Sequence, residues 1–161
     1  MGTESRTTTS LASALEAEHR DIDTGIETFA AGSPGGTTDS EPLRHAMDAL
    51  RRHIYVEEEQ LFPPLREAGL VAPIFVMLRE HAQMWETLDA LESALDGGTG
   101  EAARRLSHQL AVQLLHHNPK EEQVVYAQAD QVLPASVAAK LGALLQSAEL
   151  PPGWVAQRAR G

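Results

Sequence analysis

The chain has 161 residues, a length suited to one domain, with 42% hydrophobic, 22% charged and only 4% aromatic residues. Lys+Arg number 13 against Asp+Glu 23, a formal net charge of −10 that repels phosphate and argues against a nucleic-acid or anionic-membrane partner. With no cysteine there is no disulfide framework, thiolate metal site, iron–sulfur cluster or cysteine nucleophile, so any metal must be held by imidazole and carboxylate.

Residues 1–9 are polar and Thr-rich and are expected to be disordered. No apolar run follows Met1, so no signal peptide is expected, and no stretch approaches the roughly 20 apolar residues of a membrane span. The expectation is a cytoplasmic helical domain. Ser10 is a good N-cap for a first helix ending near Ala31, with Leu11, Leu15, Ile22, Ile26 and Phe29 spaced by three and four. Gly32-Ser33-Pro34-Gly35-Gly36 breaks it.

Ser40 is expected to cap a second helix, with Glu41 and Pro42 in its first turn and Leu43, Leu50, Ile54 and Leu61 inward. Pro73 opens a third, with Met77, His81, Met84, Trp85, Leu88 and Leu95 inward, and Gly97-Gly98 closes it. The fourth starts at Thr99 or Gly100 and carries Leu106, Leu110, Leu114, His117, Val124 and Val125 inward towards Asp130. The predicted organisation is an all-α, antiparallel up-down-up-down four-helix bundle over residues 10–133. Residues 134–161 add a short helix, from about Ala135 to Ser147, and a tail.

One pattern occurs twice. Glu18-His19 on the first helix precedes His53-x-x-x-Glu57 on the second, and Glu80-His81 on the third precedes His117-x-x-x-Glu121 on the fourth. The histidine separations, 53−19 = 34 and 117−81 = 36, are nearly equal, and an aromatic (Phe62, Tyr126) follows each Glu by five residues. This is the pattern of a duplicated helical hairpin. Residues four apart on a helix lie only about 40° apart around its axis, so each His–Glu pair shares one face. The apolar stripes place both pairs inward, together with His19 and His81. Two buried carboxylates without partners would cost several kcal/mol each. Two divalent cations remove that cost, and a hydroxide or oxide bridge can neutralise the remaining charge. Imidazole and carboxylate suit iron, manganese or zinc.

The His53–Pro63 segment resembles the His-x-x-x-Glu-Glu-x-x-Leu-Phe-Pro block of hemerythrin-like (HHE cation-binding) domains, and His117–Tyr126 resembles its second copy. Glu18-His19 and Glu80-His81 match the isolated histidines of that family, and the resemblance spans about residues 10–133. It implies a non-haem centre of two iron ions (Fe²⁺/Fe³⁺) with an oxo or hydroxo bridge. Glu57 and Glu121 would bridge the ions, and His19, His53, His81 and His117 would cap them. The oxygen-carrying members have a further histidine one turn from the one on the third helix; here Met77 and Trp85 flank His81, as in four-histidine members linked to nitric-oxide or oxidative stress. The implied partners are O₂, NO or peroxide, without nucleic acid or membrane.

Binding and turnover both need an open iron position, so a sensing module and an enzyme removing peroxide or NO both stand. A ferritin-like oxidase or store needs two Glu-x-x-His motifs, and only Glu16-x-x-His19 fits. A metal-free interaction bundle is the remaining alternative. Pro119 is expected to produce a kink or bulge in the fourth helix at the site. His116, about 100° from His117, is expected at the surface or a helix interface, Asp23 near His19, and Trp85 in the core or on a pocket wall. Glu58, Glu59 and Glu122 are expected to be solvated.

Overall fold

The computed structural model describes residues 10–32 and 39–160, so the expected disordered N-terminus and most of the Gly/Pro break lie outside the described residues. Seven α-helices are described: α1 (Leu11–Ala30), α2 (Glu41–Val56), α3 (Phe62–Glu67), α4 (Ala72–Asp96), α5 (Gly100–Lys120), α6 (Ala127–Val132) and α7 (Ala135–Ser147). A π-helical segment, Glu57–Leu61, joins α2 to α3, and a second, Glu121–Tyr126, joins α5 to α6. Four long rods result, α1, α2–α3, α4 and α5–α6, forming a helical bundle with α7 as the short C-terminal helix. No strand occurs among the described residues, and none of the described helices is long and apolar enough to cross a membrane.

The ends follow local chemistry. Ser10 Oγ accepts the Ser13 N–H at 3.1 Å, as a capping serine should. Ser40 does not cap α2: it is already helical (φ −86°, ψ −5°), and Asp39 Oδ1 instead accepts the Glu41 N–H at 3.0 Å. After α4 the chain turns at Gly98 (φ +70°), where the Thr99 N–H reaches the Ala94 carbonyl.

The expected core residues are buried, except that Leu95 and Leu106 are half-buried and one valine is exposed. Val124 is 44% exposed, whereas Val125 and Tyr126 are fully buried. The wider π turn beginning at Glu121 brings the fourth and fifth residues beyond it onto the inner face, in place of the third and fourth. The first π turn does the same for Leu61 and Phe62, and the Phe62 N–H reaches back five residues to the Glu57 carbonyl. Pro119 does not break α5, which continues to Lys120. The carbonyl that loses its donor belongs to Leu115, which is 71% exposed and open to water. An equivalent π turn follows Glu57 with no proline ahead of it, although Pro63 and Pro64 come just after it.

The core falls into two apolar clusters. One contains Ile22, Ile26, Leu50, Ile54, Met84, Trp85 and Leu114; the other contains Leu11, Leu15, Leu61, Phe62, Met77, Val125, Leu141 and Leu145. Every long rod passes from one to the other through a histidine: His19 between Leu15 and Ile22, His53 beside Ile54, His81 between Met77 and Met84, and His117 beyond Leu114. The bundle is thus an apolar sandwich with one polar layer.

Candidate metal centre

That layer brings all six sequence-predicted residues together. His19, His53, Glu57, His81, His117 and Glu121 are each at most 3% exposed. The four imidazoles direct Nε2 at the two carboxylates. Glu121 spans the layer: Oε1 lies 3.1 Å from His19 Nε2 and 3.9 Å from His53 Nε2, and Oε2 lies 3.1 Å from His117 Nε2 and 3.5 Å from His81 Nε2. Glu57 reaches both sides with one oxygen, Oε1 being 3.2 Å from His53 Nε2 and 3.4 Å from His81 Nε2.

Two three-residue groups could each hold a cation: His19, His53 and Glu121, and His81, His117 and Glu121. Donor atoms about 3 Å apart match the edge of a coordination polyhedron with bonds of about 2.1 Å. Glu57 Oε1 and His81 Nε2 are buried without a hydrogen-bond partner. Buried polar atoms are seldom left so, and two facing one another in a cluster of metal-binding residue types fit a cation between them.

Four further carboxylates were missed as parts of the site. Each imidazole places Nδ1 against one: His19 on Glu122 (3.0 Å), His53 on Glu18 (2.9 Å), His81 on Glu58 (2.8 Å) and His117 on Glu80 (3.0 Å). An Nδ1–H donated to a carboxylate fixes the tautomer that leaves Nε2 free for a metal, and orients the ring. Within a hairpin, the Glu before one histidine serves the other histidine (Glu18 to His53, Glu80 to His117). Between hairpins, the Glu after each inner Glu serves the opposite one (Glu58 to His81, Glu122 to His19). The duplication of the hairpin therefore extends to these outer partners as a pseudo-two-fold. Glu58 and Glu122 are not the solvated residues expected: Glu58 is 1% exposed, and Glu122 is half-buried on His19. The available signal was that all four adjoin a candidate ligand in sequence.

Tyr126 enters the cluster as well. Its hydroxyl lies 2.6 Å from Glu121 Oε1, 2.8 Å from Glu57 Oε2, 2.9 Å from His19 Nε2 and 3.0 Å from His53 Nε2. Burial, with Glu121 and Glu57 adding to it, pushes the phenol well above its usual pKa, so it stays protonated. At the matching place in the other half, Phe62 stacks on His81 with ring centroids 5.6 Å apart and offers no polar group. Asp23 does not reach His19; it accepts from Asn118 Nδ2 at 3.3 Å. His116, His45 and His108 are exposed. Trp85 is buried against Trp154 and under the Arg51 guanidinium, a core position.

Without metal, the layer balances imidazolium against carboxylate. Burial alone would lower the His53 and His81 pKa values. For His53, Glu57 leads the carboxylates that outweigh burial; for His81, Glu121 does, with Glu57 and Glu58; both rings are held well above the usual 6.5. His117 is raised in the same way, against its burial, by Glu121 and Glu80. Burial would raise Glu121, but the imidazoles, His117 foremost, hold it well below 4.5; Glu57 is lowered by His53 and His81 against its burial and the Glu121 charge. Glu80 is pushed down to about 2, burial opposing and His117 and Lys120 prevailing. The histidine contribution to stability is full below 6.5 and fades as pH rises through the raised values. The carboxylate contribution is present above 4.5 and fades as pH falls through the lowered values. Metal must displace the imidazole protons. At pH 6, metal loading in weak buffer should release about three protons per chain, from His53, His81 and His117, and fewer at higher pH. A pH-stat titration showing no release at pH 6 would contradict the protonated layer.

The hemerythrin HHE cation-binding domain matches residues 10–129, well over half of the 161-residue chain, and the chain belongs to that family. No curated protein and no solved structure matches it.

Proposed function

We propose that this is a non-haem di-iron protein of the four-histidine type that binds or senses O₂ or NO. His19 and His53 would hold one ion, His81 and His117 the other, with Glu121 and Glu57 between them. The observation that carries this reading is the layer of four inward Nε2 atoms around two buried carboxylates, in which Glu57 Oε1 and His81 Nε2 lie 3.4 Å apart and make no hydrogen bond. Iron bound there supplies electrons and a coordination position to a small neutral ligand. The chain's own residues do the remainder: the four outer carboxylates orient the rings, and the two apolar clusters exclude water.

The two halves differ in what they offer a ligand. On the His19–His53 side the Tyr126 hydroxyl fills the space between the carboxylates; on the His81–His117 side stands the ring of Phe62. Entry of O₂ or NO is therefore favoured on the Phe62 side, and Tyr126 closes the other. Tyr126→Phe should open the second position and speed azide binding to the diferric protein by about tenfold, the effect of one buried hydrogen bond of roughly 1.4 kcal/mol. An unchanged rate would show that the hydroxyl does not guard the site.

Stopped-flow mixing of the diferrous protein with O₂ and with NO tests the reading. We expect reaction with both gases and, with Met77 and Trp85 in place of a further histidine, oxidation by O₂ rather than reversible uptake. A diferrous protein inert to both gases would refute it.

A further inference from the structure

The four outer carboxylates are equivalent by the pseudo-two-fold but not by burial. The side chains of Glu122, Glu80 and Glu18 are 32%, 17% and 16% exposed, whereas Glu58 is 0% exposed. What covers Glu58 is the last stretch of the chain, which lies beyond the family-matched residues. After α7 the chain returns across α4. Trp154 packs edge-on against Tyr55 and Trp85, with centroids 5.2 and 5.4 Å apart, and donates Nε1–H to Glu59 Oε1 at 3.0 Å. Ala156 is fully buried, and the Arg158 guanidinium sits over the Phe75 ring. The Gln157 backbone N–H then donates to Glu58 Oε1 at 2.8 Å, while Glu58 Oε2 accepts from His81 Nδ1 at 2.8 Å.

We propose that the C-terminal strap, residues 154–160, is a positioning element of the metal centre, holding His81 in ligating orientation through Gln157 N–H and Glu58 and so making the two metal positions unequal. Each oxygen of Glu58 has one fixed partner, and water is kept out. The carboxylate therefore cannot swing away from His81, as the more exposed Glu122 can from His19. The ion on the His81–His117 side is retained more tightly. This inference rests on the dinuclear reading above and adds a residue range that the duplicated motif does not contain.

Gln157→Pro in the full chain removes the backbone donor together with the side chain, whose Nε2 lies 3.5 Å from the Glu58 carbonyl oxygen. The position opens a 3₁₀ turn (Gln157–Ala159), and the preceding Ala156 already has φ −50° and ψ 137°, the conformation a following proline requires. Gln157→Ala removes the side chain and retains the N–H. Titration with Co²⁺, followed by its visible bands, should resolve two binding steps in the unaltered protein. Gln157→Pro should weaken one step about tenfold, as loss of an outer hydrogen-bond partner typically does, and leave the other within about twofold, while Gln157→Ala keeps both. Glu58→Gln should weaken the same step, and adding Gln157→Pro to it should cost nothing further, because both act through one contact. Equal weakening of both steps, the same loss in Gln157→Ala, or additive losses in the double variant would overturn the proposal. Unaltered protein that takes up no Co²⁺ would instead overturn the dinuclear reading beneath it.

Discussion

Glu121→Ala should abolish tight metal binding at both positions. Glu121 is the residue common to both groups able to hold a cation, contributing one oxygen to each side. Its loss removes a direct ligand twice over, so affinity should fall by more than the 10–100-fold typical of an outer partner. Glu57→Ala should be milder and leave one ion per chain, since Glu57 reaches both sides through a single oxygen and its other oxygen is engaged by Tyr126. The metal-free Glu121→Ala chain should still fold. His53, His81 and His117 lose a carboxylate that raises their pKa values, and neutral imidazoles tolerate burial. Metal content after gel filtration, with circular dichroism to confirm folding, reads the result. Equal retention in the two variants would mean that Glu121 is not shared.

Metal loading should raise the melting temperature sharply. A ligand bound only by the folded state, at a free concentration a thousand times its dissociation constant, stabilises by about 4 kcal/mol. For a domain of this size each kcal/mol shifts the midpoint by roughly 2–4 °C, so even one ion should add about 8–16 °C. The metal-free layer is held by imidazolium–carboxylate pairs, which desolvation weakens. Cations replace those pairs and satisfy Glu57 Oε1 and His81 Nε2 as well. Calorimetry of chelator-treated and Fe²⁺-loaded protein under argon checks this. Coincident midpoints would show that the layer is a structural polar network without a metal role.

The six inner residues were legible in the sequence because two signals coincided. The 3.6-residue period placed them on inward faces, and the repeat of Glu-His followed by His-x-x-x-Glu tied the faces to one another. The outer partners were less legible. Glu58 lies next to Glu57, and an ideal α-helix points it about 100° away from the inner face. It is useful because a neighbouring hairpin delivers His81 to that flank, a tertiary fact. Val124 was misplaced because three residues beyond Glu121 is on the inner face of an α-helix, and the π turn gives that face to Val125 and Tyr126 instead. Pro119 drew attention to that region, and the matching π turn after Glu57 runs into Pro63 and Pro64. The strap had no periodicity to read. Its role depends on a backbone N–H at Gln157, and nothing about that residue type announces it.

On the proposed function, one chain holds two iron ions between Glu57, Glu121 and four histidines. Mössbauer spectroscopy of protein reconstituted with ⁵⁷Fe²⁺ and oxidised in air tests it most directly, combined with iron and protein quantification on the same sample. Two iron ions per chain, present as a spin-coupled ferric pair with no net magnetism at low temperature, is the predicted result. One iron per chain with the magnetically split spectrum of an isolated high-spin ferric ion would contradict it.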